Sequence, residues 1–288
     1  MIAFPKQHQV AFDGDFNLSA APTLPAKLPG DKKLKKRLKH LIKRMDKLQR
    51  VFYAHDHHAL LLVFQAMDAA GKDSTIRAIM RGINPAGCQV YSFKQPSKEE
   101  LDHDFLWRTA KSLPERGRIG IFNRSHYEEV LVVRVHPEYL DGQNLPAEID
   151  CDTIWEDRFD SIREHERHLA RNGTLVLKFW LNISRDEQKK RFLSRLDEPE
   201  KNWKFSPGDV AERQHWDDYM QAYAEALNAT SRDYAPWYAI PADNKLYMRV
   251  AVAEIIVQTL ESLNLDYPQV SQEDQARFQE ARELLENE

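Results

Sequence analysis

A short apolar stretch that ends in a glycine-lysine turn constrains this chain more than any other feature. Residues 60–64 read Leu-Leu-Leu-Val-Phe, which is too short for a helix and therefore predicts a buried strand. Gly71 and Lys72 follow, and a helical pattern opens at Asp73. Backbone N–H groups at a helix start favour an anion, and Lys72 adds a mobile positive charge, so the turn predicts a phosphate cradle. The residues that we expect around the phosphates are Ala69, Ala70, Gly71, Lys72, Asp73 and Ser74.

This loop departs at two positions from the common pattern G-x-x-x-x-G-K-[ST]. Ala66 stands where the first glycine belongs, and Asp73 stands where a hydroxyl residue usually binds magnesium. Another residue must then hold the metal, and we expect it to be Asp68 inside the loop. Two alternatives are a register shift that brings in Ser74 or Thr75, and a plain strand-to-helix turn that binds nothing.

Length and composition are typical of an α/β protein with a large core. The chain has 288 residues, of which 42% are hydrophobic and 30% are charged. Because no apolar run is long enough for a membrane helix and the start lacks a secretory segment, we expect a cytoplasmic protein without a membrane partner. Cys88 and Cys151 lack the spacing of metal ligands, so we assign both to ordinary packing.

Positive charge is concentrated in residues 32–48, although the net charge of the chain is only −4. Five apolar residues recur there at helical spacing, so one face of a helix should pack and the other should be cationic. A solvated face without a ligand and a face that binds a polyanion are the two main interpretations, and membrane-surface binding is a third. The apolar residues are Leu34, Leu38, Leu41, Met45 and Leu48.

Proline content and periodicity divide the chain into three parts. Residues 1–30 contain four prolines and predict an extended arm, residues 31–265 predict one P-loop domain, and residues 266–288 predict a polar tail. Within the domain, turn-forming and aromatic residues around Trp203 predict a mobile lid over about 185–228. A capping box at Ser97 predicts a helix to about Ser112.

Polar residues follow a second apolar strand, at residues 118–122. In a parallel sheet the ligand crevice lies beyond the carboxyl ends of the strands, so Asn123 and Arg124 should lie beside the phosphate loop. Asn123 offers a carbonyl oxygen to a metal where an aspartate is usual, and Arg124 suits the neutralisation of a transferring phosphoryl group. A turn cap without a ligand is the alternative.

Two arginines on a predicted lid helix are four residues apart. Arg191 and Arg195 would share one face of the helix that Ser184 caps. They suit a lid over phosphates, or else they pair with Asp186 or Glu187.

With these residues identified, five motifs in order resemble the polyphosphate kinase 2 family over about residues 30–265. The motifs are Met67-Asp68-Ala69-Ala70-Gly71-Lys72, Lys94-Gln95-Pro96-Ser97, Phe122-Asn123-Arg124-Ser125-His126-Tyr127-Glu128, Trp203-Lys204-Phe205-Ser206-Pro207, and Ala235-Pro236-Trp237-Tyr238 with Pro241-Ala242-Asp243-Asn244-Lys245. The resemblance implies a P-loop kinase-like three-layer α/β fold, with a central parallel sheet, helices on both faces and a helical lid. The run at 123–128 is similar to the subgroup that phosphorylates both AMP and ADP.

The resemblance also implies the reaction, a transfer of a terminal phosphoryl group between inorganic polyphosphate and a nucleotide. Asp68, Lys72 and Arg124 would be catalytic, and Asn123, Arg124 and Glu128 would bind the nucleotide. Mg²⁺, with Mn²⁺ as a substitute, would be held by Asp68 and Asn123. The further residues expected along the polyphosphate path are Lys35, Arg77, Lys94, Arg118, Arg191, Arg195 and Lys204.

The expected partners are polyphosphate, AMP, ADP and ATP, and we also expect a homo-oligomer. One rival interpretation is an ATP-dependent nucleotide or small-molecule kinase, which would share the loop, lid and magnesium. A second is a non-catalytic polyanion-binding protein that uses the basic helix. Nucleic acid is not expected, because no aromatic-basic interleaving or known nucleic-acid module accompanies that helix.

Overall fold

The apolar stretch at residues 60–64 is the middle strand of a parallel sheet. The structure is a computed structural model that describes residues 4–203 and 205–288, and in those residues the sheet has five strands in the order β2-β3-β1-β4-β5. Every residue of β1 is buried, as expected for a strand with neighbours on both sides and helices on both faces. The strands are β1 (Ala59–Gln65), β2 (Cys88–Ser92), β3 (Ile119–Asn123), β4 (Thr174–Asn182) and β5 (Trp237–Pro241).

Helices complete a three-layer α/β fold, which confirms the predicted fold class. α1 and α2 both contact α11, while α6 contacts β4 and α10 contacts α5 and α6. The described helices are α1 (Asp31–His55), α2 (Lys72–Ile79), α3 (Lys98–Leu101), α4 (Trp107–Ala110), α5 (Val132–Val135), α6 (Ile154–Arg171), α7 (Arg185–Asp197), α8 (Pro199–Asn202), α9 (Pro207–Glu212), α10 (Trp216–Thr230), α11 (Lys245–Ser262) and α12 (Gln272–Glu286). None of these helices is long and apolar enough to cross a membrane.

The strand order places a crevice beside the end of β1. β1 pairs with β3 on one side and with β4 on the other, so the chain runs to one half of the sheet and then to the other. Since all the strands are parallel, their carboxyl ends meet at one edge. The phosphate loop after β1 and Asn123 at the end of β3 lie at this edge.

The basic segment forms α1, which packs beside α11 with the two helices running in the same direction. Arg37 lies 2.6 Å from Glu254 and Arg44 lies 2.7 Å from Glu261, so each pair is separated by 217 residues. Leu34, Leu41 and Met45 are buried, whereas the lysines of α1 are exposed. The division into an apolar and a cationic face is therefore confirmed.

The N-terminal segment runs antiparallel along the outer edge of β5 at residues 8–10. Val10 is fully buried and its N–H donates to the Trp237 carbonyl, and the Ala239 N–H donates to the His8 carbonyl. The segment then reaches the carboxyl edge of the sheet, where the Asp243 N–H donates to the Thr23 carbonyl at 3.1 Å.

The predicted single helix from Ser97 to about Ser112 is wrong. The capping box is present, but the helix that it starts, α3, ends at Leu101, and α4 begins only at Trp107. The Asp104 carboxylate accepts the Leu106 N–H at 2.9 Å, so a side chain occupies a donor that a continuous helix would use.

Candidate active site

The loop between β1 and α2 is held in a conformation that depends on glycine. Gly71 precedes α2 with φ +109°, a value that L side chains rarely adopt, and Ala69 also has a positive φ of 60°. A Cβ at Gly71 would lie 3.3 Å from both the Met248 Cε and the Ser74 Oγ. The helix begins at Lys72, one residue before the predicted start, and residues 69–74 all line the crevice, as expected for a phosphate cradle at a helix start.

Lys72 is folded back onto its own loop. Its ammonium group donates to the Ala66 carbonyl at 2.6 Å, and the side chain is buried. Burial, followed by repulsion from Arg124, lowers the pKa of Lys72. Lys72 thus bonds to the backbone of Ala66, the residue that stands where the common loop has its first glycine. Its ammonium group lies at the base of the space where phosphates would bind.

Arg191 of α7 fastens the same loop from the lid side. Its guanidinium donates to the Ala70 carbonyl at 2.5 Å and to the Ala242 carbonyl at 2.7 Å, while its Nε contacts Glu187 at 2.9 Å. The sequence predicts either a residue over the phosphates or an ion pair on the helix. Arg191 does both in part, because it lines the crevice and also pairs with Glu187. Because its N–H groups donate to backbone carbonyls, Arg191 holds the loop in position.

Asp68 and Arg124 form an ion pair in the crevice. Arg124 lies 3.1 Å from Asp68 and 3.6 Å from Glu128, and it has a positive φ of 64° although it is not glycine. The side chains of Asp68 and Arg124 are 33% and 39% exposed, which leaves both accessible to a ligand. Glu128 and Asp68 raise the pKa of Arg124, so its positive charge is secure. Backbone strain of this kind is commonly retained at functional sites.

Asn123 turns its amide toward the start of α2. Its Nδ2 donates to the Asp73 carboxylate at 2.6 Å, which leaves the side-chain oxygen Oδ1 of Asn123 for another partner. The two predicted residues that replace the usual hydroxyl and the usual aspartate therefore contact each other. Both residues line the crevice, as Asp68 does.

A buried polar network supports the segment that carries Arg124 and Glu128. The Tyr127 hydroxyl donates to Glu166 at 2.8 Å and accepts from Lys178 at 2.9 Å, and all three side chains are buried. Burial lowers the pKa of Lys178 to about 8, while Glu166 opposes the shift. Arg124 and Glu128 thus project from a turn whose intervening residues are anchored in the core.

Two cavities meet at Asp68 and Arg124. The first, the loop cavity, has a volume of about 630 Å³ and lies over the loop and the start of α2. Its lining contains two carboxylates, Asp68 and Asp73, against nine basic residues. The basic residues are Lys72, Arg77, Lys94, Arg124, Arg191, Arg195, Lys201, Lys245 and Arg249.

The second has a volume of about 210 Å³ and lies between the Arg124–Glu128 turn and helices α9 and α10, in the predicted lid region, so we call it the lid cavity. Tyr219 and Tyr223 of α10 give it an aromatic side, and Leu131 and Val132 give it an aliphatic one. Its remaining polar lining includes Glu128, Asp209, Glu212 and Arg213. The two cavities share Met67, Asp68 and Arg124.

Most of the predicted phosphate-binding residues line the loop cavity, but three do not fit that description. Lys35 is exposed on α1 and is not part of the lining. Arg118 precedes β3, about 16 Å along the strand from Asn123. There Arg118 pairs with Glu115 at 2.8 Å and donates to the Ala86 carbonyl, so it lies at the wrong edge of the sheet to contact this cavity. Lys204 lies outside the described residues.

Sequence reasoning missed several lining residues. Lys245 and Arg249 follow β5, and the rule that located Asn123 at the end of its strand would have located them too. Glu212 at the end of α9 and Tyr219 and Tyr223 of α10 line the lid cavity because α10 packs against the segment that follows Arg124, and no local signal marks that contact.

The oxygens in the crevice suit a magnesium ion that the substrate helps to hold. In the described part of the chain, no group of three His, Cys, Asp or Glu side chains is arranged as a complete metal site. Mg²⁺ is usually bound by one or two carboxylates together with substrate phosphates and water. Asp68 and the side-chain oxygen of Asn123 would supply the protein ligands of such a site.

Comparisons with known proteins identify the family to which this chain belongs. The family model of polyphosphate kinase 2 matches residues 30–268. The chain belongs to the polyphosphate kinase 2 family. It is 57% identical over 235 residues to an ADP-polyphosphate phosphotransferase of Rhodopseudomonas palustris, covering 81% of each chain. It is 46% identical over 266 residues to an AMP/ADP-polyphosphate phosphotransferase of Meiothermus ruber, covering 92% of this chain and 96% of that one.

A solved structure supports both the family and the fold. The crystal structure of polyphosphate kinase 2 from Arthrobacter aurescens matches with a TM-score of 0.86 and 37% identity, over 97% of this chain and 99% of that one. The predicted resemblance to the family is therefore confirmed. The limits of the family model lie close to the predicted limits of the P-loop domain, and residues 1–29 lie outside it.

Proposed function

We propose that this chain is a polyphosphate-dependent nucleotide phosphotransferase, which transfers the terminal phosphoryl group of inorganic polyphosphate to AMP and to ADP and catalyses the reverse reaction. The relatives from Rhodopseudomonas and Meiothermus are named for ADP and for AMP and ADP respectively. The observation that carries the proposal is the junction of two chemically different cavities at Asp68 and Arg124.

The loop cavity suits the donor. Nine basic side chains against two carboxylates form a site for a strongly anionic chain, and the glycine-lysine turn adds backbone donors. A phosphate bound over this turn competes with the Ala66 carbonyl for the Lys72 ammonium. When the phosphate displaces the carbonyl, Lys72 binds the polyphosphate donor. An ATP-dependent kinase would need a place for a donor base, and among the described residues that line this cavity Phe93 is the one aromatic side chain.

The lid cavity suits the acceptor nucleotide. Tyr219 and Tyr223 present aromatic surface to a base, and the surrounding carboxylates disfavour a phosphate chain. The acceptor phosphate would then point toward Asp68 and Arg124, where the two cavities meet. Glu128, which lines this cavity and contacts Arg124 at 3.6 Å, is the nucleotide-binding carboxylate of our proposal.

The reaction needs alignment and charge neutralisation more than a protein nucleophile. A phosphate oxygen of AMP or ADP, already anionic at neutral pH, forms a bond to the terminal phosphorus while the bond to the next phosphate of the polymer breaks. Arg124 lies between the two anions and reduces their repulsion, and Lys72 with the turn N–H groups holds the chain that leaves. Asp68 and the side-chain oxygen of Asn123 would hold Mg²⁺, which would supply further charge neutralisation on the phosphates.

A coupled assay tests this function. Purified chain is supplied with AMP or ADP, Mg²⁺ and long-chain polyphosphate in the absence of ATP, and triphosphate formation is followed with luciferase. We expect ATP from both acceptors. No ATP from either acceptor, together with ready consumption of ATP to phosphorylate another molecule, would show that the chain is an ATP-dependent kinase. Location in the cytoplasm and assembly into a homo-oligomer stay predictions from the sequence.

A further inference from the structure

Helix α1 carries a row of lysines outside the two cavities. Because an α-helix turns by about 100° per residue, these lysines lie within an arc of about 80° along some 22 Å of the helix. Their arc is opposite the buried residues Leu34, Leu41 and Met45, so all of them face solvent. We call them the lysine stripe, and its members are Lys32, Lys36, Lys39, Lys43 and Lys47.

The lysines of the stripe have no ion-pair partner among the described residues. The arginines of α1 are committed to ion pairs, with Arg37 on Glu254, Arg44 on Glu261 and Arg50 on Asp46. The lysines of the stripe, in contrast, form no ion pair with residues 4–203 or 205–288. Like charges three and four residues apart destabilise a helix, so the stripe lowers the stability of α1 unless an anion lies along it.

The stripe begins at the level of the loop cavity. The two ion pairs between α1 and α11 each join residues 217 apart, so the helices are parallel and Lys32 lies level with Arg249. Arg249 and Lys245, one turn before it, line the loop cavity. A chain that leaves the cavity past Arg249 therefore reaches the first turn of α1, and the remaining lysines lead it away from the active site.

We propose that the lysine stripe is a second binding surface, which holds the distal part of a long polyphosphate whose terminal phosphates occupy the loop cavity. This inference rests on the proposed function. A linear polymer with a charge on every unit matches a linear row of cations, and residues 32–47 contain no Phe, Tyr or Trp on which nucleic-acid bases would stack. The stripe makes the enzyme selective for long chains, because short ones end inside the cavity.

The test replaces all five lysines of the stripe by Gln in the full chain, which preserves helix propensity and removes the charge. KM and kcat are measured with long-chain polyphosphate and with tripolyphosphate, at low and high salt. We expect KM for the long chain to rise about tenfold, which corresponds to about 1.4 kcal/mol. Its dependence on salt should weaken, while kcat and KM for tripolyphosphate stay within about twofold of the wild-type values.

A matched control removes five charges from exposed positions elsewhere, and it should leave KM for the long chain unchanged. Those positions are Lys6, Lys111, Arg171, Arg277 and Arg282, each changed to Gln. An unchanged KM in the stripe variant, an equal rise for tripolyphosphate, or an equal effect in the control would overturn the proposal. The proposal would also be overturned if the stripe variant lost affinity for single-stranded DNA while its polyphosphate kinetics stayed the same. An inactive wild-type chain would instead refute the proposed function.

Discussion

Arg191 offers a direct way to separate charge from geometry in this site. Arg191→Lys keeps the positive charge beside the loop cavity but removes the planar fork that reaches several carbonyls at once. If Arg191 acts chiefly by attracting phosphate, the variant should be nearly normal. If it acts by fastening the loop to the lid, the variant should fail.

The contacts set the size of the expected effect. The guanidinium donates to the carbonyls of Ala70, Ala242 and Asp243 at 2.5, 2.7 and 3.1 Å, and the side chain is only 7% exposed. A lysine ammonium can keep one or two of these bonds. Since a buried hydrogen bond from a charged donor contributes about 1.5–3 kcal/mol, we expect the free energy of unfolding to fall by roughly 2–3 kcal/mol.

Urea denaturation followed by tryptophan fluorescence measures that loss, and the coupled assay measures its consequence for turnover. We expect kcat/KM for polyphosphate to fall by at least about 100-fold, because the loop that cradles the phosphates loses its support. Arg37→Lys, at an exposed ion pair, is the matched control and should change stability by less than about 0.5 kcal/mol. Near-normal stability and turnover in Arg191→Lys would refute the positioning role.

Three further substitutions test the loop glycine, the loop carboxylate and a buried histidine. Gly71→Ala should cost about 1–3 kcal/mol in urea denaturation and abolish turnover, whereas Gly82→Ala, with φ +88° and open space around it, should affect stability alone. Asp68→Asn should lower kcat by about 100-fold or more while the melting temperature barely changes, since its ion pair is partly exposed; a near-normal rate would remove Asp68 from the metal site. Burial holds the pKa of His126 well below 6.5, so below that pH the unfolded chain binds a proton that the folded chain does not. As the pH is lowered below 6.5, this histidine should therefore lower the free energy of unfolding by about 1.4 kcal/mol per pH unit. His126→Gln should reduce the slope of unfolding free energy against pH by the amount that corresponds to one proton.

The central part of the fold was predictable because local pattern and burial agree there. A five-residue apolar run before a glycine-lysine turn has few other solutions, and the strand-end rule located Asn123 and Arg124 correctly at the crevice. The helix after Ser97 was predicted too long, because the Asp104 side chain competes with the backbone for donors.

The site was less predictable where it depends on contacts between distant segments. Arg118 was assigned to the phosphate path by its charge alone, yet it lies at the amino end of β3 and pairs with Glu115. The hydrogen bonds from Arg191 to the loop backbone join residues more than a hundred positions apart. Spacing along one helix shows which residues share a face, but it does not show what that face meets.

The segment along β5 has a consequence for how this protein should be handled. An unprotected strand at the border of a sheet is a template on which other chains assemble, and here Val10 and its neighbours occupy that template. A fragment trimmed to residues 30–268 would leave the backbone of Trp237 and Ala239 without these hydrogen bonds. Such a fragment would keep the whole loop cavity and yet be prone to self-association, so material for crystallisation should begin upstream of the family boundary.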